Sequence, residues 1–336
     1  MRTVWTRSLL AVVVTAVWVA ALWGCSSSSG SGAGPTGDSG AGGDARATDG
    51  AATDASTHDT GAVEESGHEA SAGETGASDG GTGSGEAAAA DGAVVLDGGW
   101  VLVWSDEFDS GTAPDPSKWI DTSLNTTSSG PGWGVEYDEP AASTVSSGNL
   151  VITATQGADG GITSGAIDSK GKFQQTYGRF EARMKAPPGA GVWPAFWLMG
   201  DTNGEGWPTC GEIDIVEIVG SAPKNAYGTV HSGNTTDPSQ NTSTGGSYTS
   251  TGPDLSADFH VYAVEWSASS VAFYVDDNLY ETVTPQTMTS GELWAFDHDF
   301  YILFDLALGG SWAGPPNAAT FPATMLVDYV RVYQKP

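Results

Sequence analysis

Strand patterns recur throughout residues 100–336, and no stretch of twelve or more residues carries the apolar stripe of a helix. Clusters of Gly, Pro, Asn and Ser separate the strand patterns. In YGRFEARMKA, the apolar residues Phe180, Ala182 and Met184 alternate with charged ones, as in a strand with one buried face. We therefore expect an all-β fold, in which two antiparallel sheets pack as a sandwich with one concave face.

Residues 1–24 have the pattern of an export signal. Arg2 and Arg7 precede LLAVVVTAVWVAAL, an apolar run that is too short to span a membrane. The run ends in LWGC, which resembles the bacterial lipoprotein box, so we predict cleavage before Cys25 and lipidation of that residue. The alternative is a secretory signal followed by a chance cysteine. We expect an exported protein, either an outer-membrane or cell-surface lipoprotein or a secreted one.

Residues 25–99 differ in composition from the rest of the chain. They are rich in Gly, Ala, Ser and Thr, and they contain 13 acidic residues against one basic residue, Arg46. Such a segment buries too little apolar surface to offset its ordering entropy, and its charges repel one another. We predict a disordered acidic tether.

Residues 100–336 are long enough for one large domain and contain ten of the thirteen tryptophans. They carry 28 acidic and 9 basic residues, a net charge of −19, which excludes a nucleic-acid partner because phosphate binding needs clustered Lys and Arg. Cys210 is the one cysteine of this domain, so we expect no internal disulfide and a buried structural thiol there. We expect a monomer that contacts a membrane only through the lipid.

The stretch EIDIVE places three acids in an apolar, β-branched strand. Glu212 and Asp214 share one face of such a strand, but Glu217 has the opposite parity. A β-bulge at Ile215 and Val216 would bring Glu217 to the face of the other two acids. Burial of Glu217 among core side chains would cost several kcal/mol. Parity alone leaves open whether the strand bulges or Glu217 lies on the surface.

Three carboxyl groups on one face repel one another, so at least one of them should keep its proton near neutral pH. A retaining glycosidase requires one ionised and one protonated carboxyl group of this kind. Trp193, Trp197 and Trp207 lie close to the acids in sequence, and flat aromatic rings stack on sugar rings. The alternative is a surface cluster of acids without chemistry.

From residue 101 to residue 334, the sequence resembles glycoside hydrolase family 16, in particular its laminarinase-like branch. The motifs that carry the resemblance are VWSDEFD, DPSKW, YGRFEARMK, WPAFWLMG, GEIDIVE, YGTVHSG, GGSWAG and VDYVRVY. The resemblance implies a jelly-roll, concanavalin A-like sandwich with a substrate cleft. It also implies that Glu212 is the nucleophile, that Asp214 is its electrostatic partner and that Glu217 is the general acid/base.

The same resemblance implies a set of substrate-binding residues. Trp197 and Trp207 match the aromatic wall next to the scissile bond, with Trp193 as a neighbour, and His231 matches a histidine on the leaving-group side. Arg179 matches a substrate-side arginine, with a structural ion pair near Glu181 as the alternative. Since Trp193 and Trp197 have the same parity, the alternative for these two is a position in the core.

The segment GPGWGVEYDEP departs from the family pattern near Val135, where relatives commonly carry an asparagine. Trp133 and Glu136 match the family in kind, and we predict that both bind substrate in the outer subsites.

The resemblance implies no cofactor for catalysis and points to a structural Ca²⁺ ion. The positions that match its ligands are Glu107, Gly148 and Asp328, where oxygen ligands suit this hard cation.

The expected function is that of a retaining endo-β-1,3-glucanase that hydrolyses laminarin-type glucans by double displacement. One alternative is a hydrolase of another β-linked polysaccharide, such as mixed-linkage glucan or agarose. A second alternative, from a different class, is a non-catalytic glucan-binding module, and a third is a transglycosylase that shares every catalytic residue.

Overall fold

The structure, a computed structural model, describes residues 87–88, 94–96, 98–122, 124, 134–201 and 205–336. All of them belong to one compact unit, Ala77–Pro336. The predicted export signal, Cys25, Trp133 and most of the predicted tether lie outside the described residues.

Strands dominate the described part of the chain. In chain order they are β1 (Ala87–Ala88), β2 (Val94–Leu96), β3 (Trp100–Asp106), β4 (Ile120–Asp121), β5 (Tyr137–Asp138), β6 (Ser143–Ser146), β7 (Asn149–Gln156), β8 (Ile162–Ser164), β9 (Ala166–Asp168), β10 (Gly178–Lys185), β11 (Val192–Gly200), β12 (Glu212–Glu217), β13 (Asn225–Gly233), β14 (Asn241–Thr249), β15 (His260–Ser267), β16 (Ser270–Val275), β17 (Asn278–Val283), β18 (Phe300–Leu308) and β19 (Ala323–Gln334).

Helical structure is confined to short pieces. The described residues form one α-helix, α1 (Gly310–Ala313), and two 3₁₀ turns, Pro140–Ala142 and Ala318–Thr320. In the described part of the chain, no helix has the length and apolar character needed to cross a membrane.

The strands form two sheets. The larger sheet has twelve strands, with the central order β1-β2-β3-β19-β10-β15-β16-β17 and with β5 to β8 attached beside β19. The smaller sheet has seven strands in the order β14-β13-β12-β11-β18-β9-β4. Neighbouring strands are antiparallel except for the short pair β5 and β8. The predicted all-β sandwich is therefore confirmed.

The core lies between the two sheets because each sheet turns one alternating set of apolar side chains inward. In β10 of the larger sheet, Phe180, Ala182 and Met184 are fully buried. In the smaller sheet, Phe196 of β11 stacks on Phe304 of β18, with ring centroids 4.7 Å apart. The predicted alternation of β10 is thus correct, and the second set of side chains in each strand faces away from the core.

The larger sheet extends beyond the predicted start of the domain at residue 100. Val94–Leu96 pairs with β3 in antiparallel register, so that Val95 opposes Val101 and Leu96 opposes Trp100. The composition of residues 25–99 conceals this strand because only a few apolar residues, AVVL, interrupt the acidic sequence.

Candidate active site

A β-bulge interrupts β12. Against β11, Val216 pairs with Phe196 while Asp214 pairs with Trp197, which leaves Ile215 as the extra residue. Against β13 the register shifts between Asp214 and Glu217 in the same way. Ile215 and Val216 are both completely buried in the core. The predicted bulge is therefore confirmed, and the side chain of Glu217 faces away from the core.

The bulge aligns the acids in rows that run across the smaller sheet. Across β12, β11 and β18, the rows are Glu212 with Met199 and Tyr301, Asp214 with Trp197 and Leu303, and Glu217 with Ala195 and Asp305. Ala195, Trp197, Tyr301 and Leu303 form an apolar cluster separate from the main core. Ala195 and Trp197 of this cluster line a cleft of about 770 Å³, which all three acids of EIDIVE also line.

Four tryptophans line this cleft. Trp193 donates a hydrogen bond from Nε1 to Oε1 of Glu217 at 2.8 Å. Trp197 donates from Nε1 to Oδ1 of Asp305 at 2.7 Å. Trp207 and Trp312 complete the set. Trp193 and Trp197 therefore lie outside the main core between the sheets, although Trp197 is buried in the separate apolar cluster. The structure brings all three predicted tryptophans to the cleft that the acids line.

His231 lies on β13 directly beside Glu212 in the register. Its Nε2 atom is 3.1 Å from Oδ2 of Asp214, and its Nδ1 atom is 3.3 Å from Oδ1 of Asn241. The histidine thus lies in the cleft, as predicted, and its ring is held between an acid and an amide.

Burial is the main cause that raises the pKa of Glu212 well above its usual range, and the charge of Asp214 adds to this effect. Burial is also the main cause that raises the pKa of Asp214, and the charge of Glu217 adds to this rise. Burial also raises the pKa of Glu217, while the hydrogen bond from Trp193 and the charge of His231 oppose the rise. Burial and mutual repulsion therefore favour the protonated forms within this cluster of acids.

The prediction for Arg179 is wrong. Its strand, β10, belongs to the larger sheet, and because Phe180 faces the core, Arg179 faces the side opposite to the cleft. The guanidinium binds Glu181 at 2.9 Å, Asp277 at 3.2 Å and Glu265 at 3.3 Å. Arg179 is thus the centre of a structural ion cluster, which was the stated alternative.

Glu136, which we predict to bind substrate in the outer subsites, lines the cleft. Its side chain is buried, and Oε2 accepts a hydrogen bond from the backbone N–H of Leu308 at 2.8 Å. Val135, at the departure from the family pattern, is exposed, and its N–H donates to the carbonyl of the same Leu308. This segment is therefore held against the end of β18.

The residues predicted to bind calcium have other partners. Arg331 donates two hydrogen bonds to the Glu107 carboxylate, at 3.1 and 3.0 Å, and Arg183 donates one to Asp328 at 2.7 Å. Gly148 is a turn residue with φ +71°. Because arginines bind both carboxylates, the side chains of Glu107 and Asp328 do not fit a calcium ion.

Two cleft residues were not identified from the sequence. Asp305 belongs to FYILFDLAL, where a single acid interrupts an apolar strand, which is the signal that EIDIVE also carries. Burial raises the pKa of Asp305 well above its usual range, and Asp138 and Glu136 add to the effect. Trp312 belongs to the quoted motif GGSWAG, and its ring packs edge-on against Trp193, with ring centroids 5.3 Å apart.

Cys210 is buried, and its Sγ atom contacts Sδ of Met199 at 3.5 Å. Burial is the main cause that raises the pKa of its thiol to about 11. A thiol with such a pKa is not a nucleophile at neutral pH, so the predicted structural role agrees with this environment.

Comparison with known proteins gives consistent matches. The profile of Glycosyl hydrolases family 16 matches residues 132–331. A beta-glucanase of Rhodothermus marinus is 40% identical over 252 residues, which cover 70% of this chain and 85% of that protein. Glucan endo-1,3-beta-glucosidase A1 of Niallia circulans is 38% identical over 263 residues, 70% of this chain and 38% of that protein.

Solved structures agree with these matches. The catalytic domain of an endo-1,3-beta-glucanase (laminarinase) from Thermotoga petrophila is 38% identical and superimposes with a TM-score of 0.63, covering 70% of this chain and 98% of that one. The family profile alone spans more than half of the sequence. The chain belongs to glycosyl hydrolase family 16.

Proposed function

We propose that this chain is a retaining endo-β-1,3-glucanase that hydrolyses laminarin-type glucans. The observation that carries the proposal is the β12 bulge, which aligns Glu212, Asp214 and Glu217 on one wall of a tryptophan-lined cleft. Relatives named as beta-glucanase and as endo-1,3-beta-glucanase support the substrate class.

In the first step, a carboxylate oxygen of Glu212 attacks the anomeric carbon, and the bond from that carbon to the glycosidic oxygen breaks. Glu217 transfers its proton to the departing oxygen, so the leaving chain departs as a neutral alcohol. The raised pKa of Glu217 supports the acid role, because burial favours its protonated form. The product of this step is a covalent glycosyl enzyme.

In the second step, ionised Glu217 accepts a proton from water as the water oxygen attacks the anomeric carbon. The bond to Glu212 breaks, and two inversions leave the anomeric configuration retained. Asp214 shares a hydrogen bond with Glu212, and we assign it the role of holding a proton while Glu212 is ionised. His231, beside Asp214, would keep that acid in position.

The substrate must place apolar sugar faces against tryptophan and hydroxyl groups against acids. A neutral glucan meets both requirements. The net charge of −19 on residues 100–336 repels a polysulfated chain such as carrageenan. Mixed-linkage glucan and neutral agarose meet the same demands, so both belong in the test. Both glutamates are present, which argues against a non-catalytic binding module.

The test is a product profile on laminarin, lichenan, agarose and carrageenan. We expect rapid release of reducing oligosaccharides from laminarin, with a fall in viscosity before complete breakdown, and the β-anomer as the first product by NMR. Glu212→Gln should abolish release, whereas the exposed Glu139→Gln serves as a control. Wild-type rates in Glu212→Gln would refute the catalytic assignment, and products longer than the donor would reveal transglycosylation.

The two glutamate roles are separable. In Glu217→Ala we expect kcat/KM on laminarin to fall by about 10²–10⁴-fold, since no group protonates the leaving oxygen. An aryl glucoside with an acidic phenol leaving group needs no such proton, so its first step should be nearly unaffected. Glu212→Ala should fail on both substrates because the nucleophile is gone.

We also propose export and a lipid anchor at Cys25, supported by LWGC and the preceding apolar run. Radiolabelled palmitate should enter the wild-type chain and not Cys25→Ala, which should move from the membrane fraction to the soluble one. Equal labelling of both proteins would exclude this anchor.

A further inference from the structure

We propose that Glu212, Asp214 and His231 form a binding site for a Zn²⁺ ion. Bound there, the ion would cover the nucleophile and exclude glucan from the cleft. The exclusion of glucan rests on the proposed function, but the binding of the ion does not.

The three side chains present their ligand atoms to one point. One atom from each lies within 4.8 Å of the others, which makes them a group able to hold a metal ion among the described residues. Antiparallel register places His231 directly opposite Glu212, and Asp214 lies two residues further on the same face of β12. The backbone of two paired strands therefore preorganises the group, so an ion would not have to gather distant ligands.

Two carboxylate oxygens in this group are short of donors. Glu212 and Asp214 are 8% and 3% exposed, and neither Oε2 of Glu212 nor Oδ2 of Asp214 accepts a hydrogen bond from a described residue. The Nε2 atom of His231 lies 3.1 Å from that Asp214 oxygen. A buried carboxylate oxygen without a donor is unfavourable, and a cation placed between these oxygens would satisfy both.

The ligand set selects a borderline transition metal. One imidazole nitrogen and two carboxylate oxygens leave a fourth, open position in a tetrahedral Zn²⁺ site, as catalytic zinc sites have. Mg²⁺ and Ca²⁺ prefer six or more oxygen ligands, which two carboxylates and a nitrogen do not offer. The open fourth position faces the cleft and would hold a water molecule.

A second residue supports the histidine as a ligand. The Asn241 amide lies 3.3 Å from Nδ1 of His231. When the Asn241 oxygen accepts a hydrogen bond from Nδ1–H, the lone pair of Nε2 points toward the acids. Metal-binding histidines are generally oriented by a hydrogen bond of this kind on the other ring nitrogen.

The experiment is calorimetric titration of the full chain with ZnCl₂ in a buffer that does not bind metals. We expect one zinc site in the wild type, and His231→Gln should lower its zinc affinity at least about ten-fold. Loss of a residue that merely hydrogen-bonds a metal ligand already lowers affinity about 10–100-fold. His260→Gln is the matched control, because His260 pairs with Asp276 on the larger sheet. Zinc bound by histidines other than His231 and His260 binds equally to both variants, so it does not affect the difference between their affinities.

Circular dichroism and the melting temperature establish that each variant is folded before titration. Equal zinc binding by wild type and His231→Gln would overturn the proposal. Ca²⁺ at millimolar concentration should not displace the ion, and displacement would also overturn it. These titrations contain no glucan, so their outcome does not depend on whether the protein hydrolyses laminarin.

A laminarin assay then tests the consequence for turnover. Zinc inhibition should raise KM and leave kcat unchanged, since ion and glucan compete for the same acids. Inhibition that lowers kcat alone would place the ion outside the cleft and would also contradict the proposal.

Discussion

The indole nitrogen of Trp193 lies 2.8 Å from Oε1 of Glu217, so a cleft tryptophan is also a hydrogen-bond donor to the acid assigned to protonate the leaving group. A hydrogen bond to the ionised form of a carboxyl group lowers its pKa. The tryptophan therefore limits how far burial raises the pKa of Glu217.

Trp193→Phe should raise the pKa of Glu217 because it removes that donor. The alkaline limb of the kcat/KM profile, which reports the free enzyme's acid, should move upward by about one pH unit, corresponding to ~1.4 kcal/mol. Trp104→Phe, a change in the larger sheet, is the control. An unchanged or downward-shifted limb in Trp193→Phe would contradict this role.

Deletion of Val216 tests the parity argument. With one residue fewer in the bulge, the sequence becomes EIDIE, which alternates regularly and keeps all three acids on one face. We expect a folded variant with residual glucanase activity, destabilised by about 2–4 kcal/mol because a fully buried side chain is lost. Urea unfolding and reducing-sugar release measure the two effects.

The matching experiment inserts one alanine between Val216 and Glu217. If the bulge persists, the insertion turns Glu217 toward the core; if the strand becomes regular, it moves Glu217 one two-residue repeat, ~6.6 Å, further from Glu212. Activity should vanish in either case, even in the fraction of protein that folds. If the insertion variant were active and the deletion variant dead, the assignment of faces in β12 would be reversed.

The carboxyl cluster should make the protein less stable as pH rises. The folded-state pKa of Glu212 is raised above the ~4.3 of an unfolded chain, so the folded protein binds more protons in the window above that value. Stability is then lost as pH increases through the folded-state pKa.

Glu212→Gln removes the contribution of Glu212 to this dependence. Its melting temperature should exceed that of the wild type by a few degrees at pH 8, where ~1 kcal/mol corresponds to ~2–4 °C, and should equal it near pH 4. Calorimetric scans at both pH values check the expectation, with the exposed Glu139→Gln as the reference. A variant less stable than wild type at pH 8 would refute it.

Arg179 should matter for folding and not for turnover. Arg179→Ala leaves buried Glu181 without its cation, so the free energy of unfolding should fall by about 3–5 kcal/mol. Arg183→Ala is the control, because the ion pair of Arg183 with Asp328 is more than one third exposed and contributes about 0–1 kcal/mol. Below its melting temperature, Arg179→Ala should keep the wild-type KM for laminarin; a raised KM would restore a role in substrate binding.

Trp312 should act as a platform for the polymer. Its ring is 42% exposed, and it packs edge-on against Trp193 and Tyr227 at the cleft. Trp312→Ala should raise KM for laminarin about 3–10-fold, in line with ~0.5–1.5 kcal/mol for an aromatic contact, and should change kcat little. Steady-state kinetics test this, and an unchanged KM would remove Trp312 from the binding surface.

Local pattern was sufficient to predict most of the strands and to single out EIDIVE as an acidic strand. Alternation in β10 identified its buried face, and the odd spacing of Glu217 offered a bulge as one of two alternatives, which the structure contains at Ile215. Both inferences rest on the two-residue period of a strand, which is a local property.

Sheet membership is a long-range property, and the prediction for Arg179 was wrong because it depended on that property. The motif around Arg179 shows which side of its strand faces the core but not that the strand lies in the sheet opposite the cleft. Asp305 and Trp312 are distant from EIDIVE in sequence and reach it only through the pairing of β11 with β18 and the turn that follows β18. Val94–Leu96 was missed because a three-residue strand carries too little pattern.

The two residues at the bulge are anchored in the interior, while the acid that follows them works on the opposite surface. The position of Glu217, the assigned proton donor, therefore depends on how Ile215 and Val216 pack on the core side of the sheet. Repacking beneath Ile215 and Val216 offers a way to adjust the gap between the two glutamates without altering any group that meets the sugar.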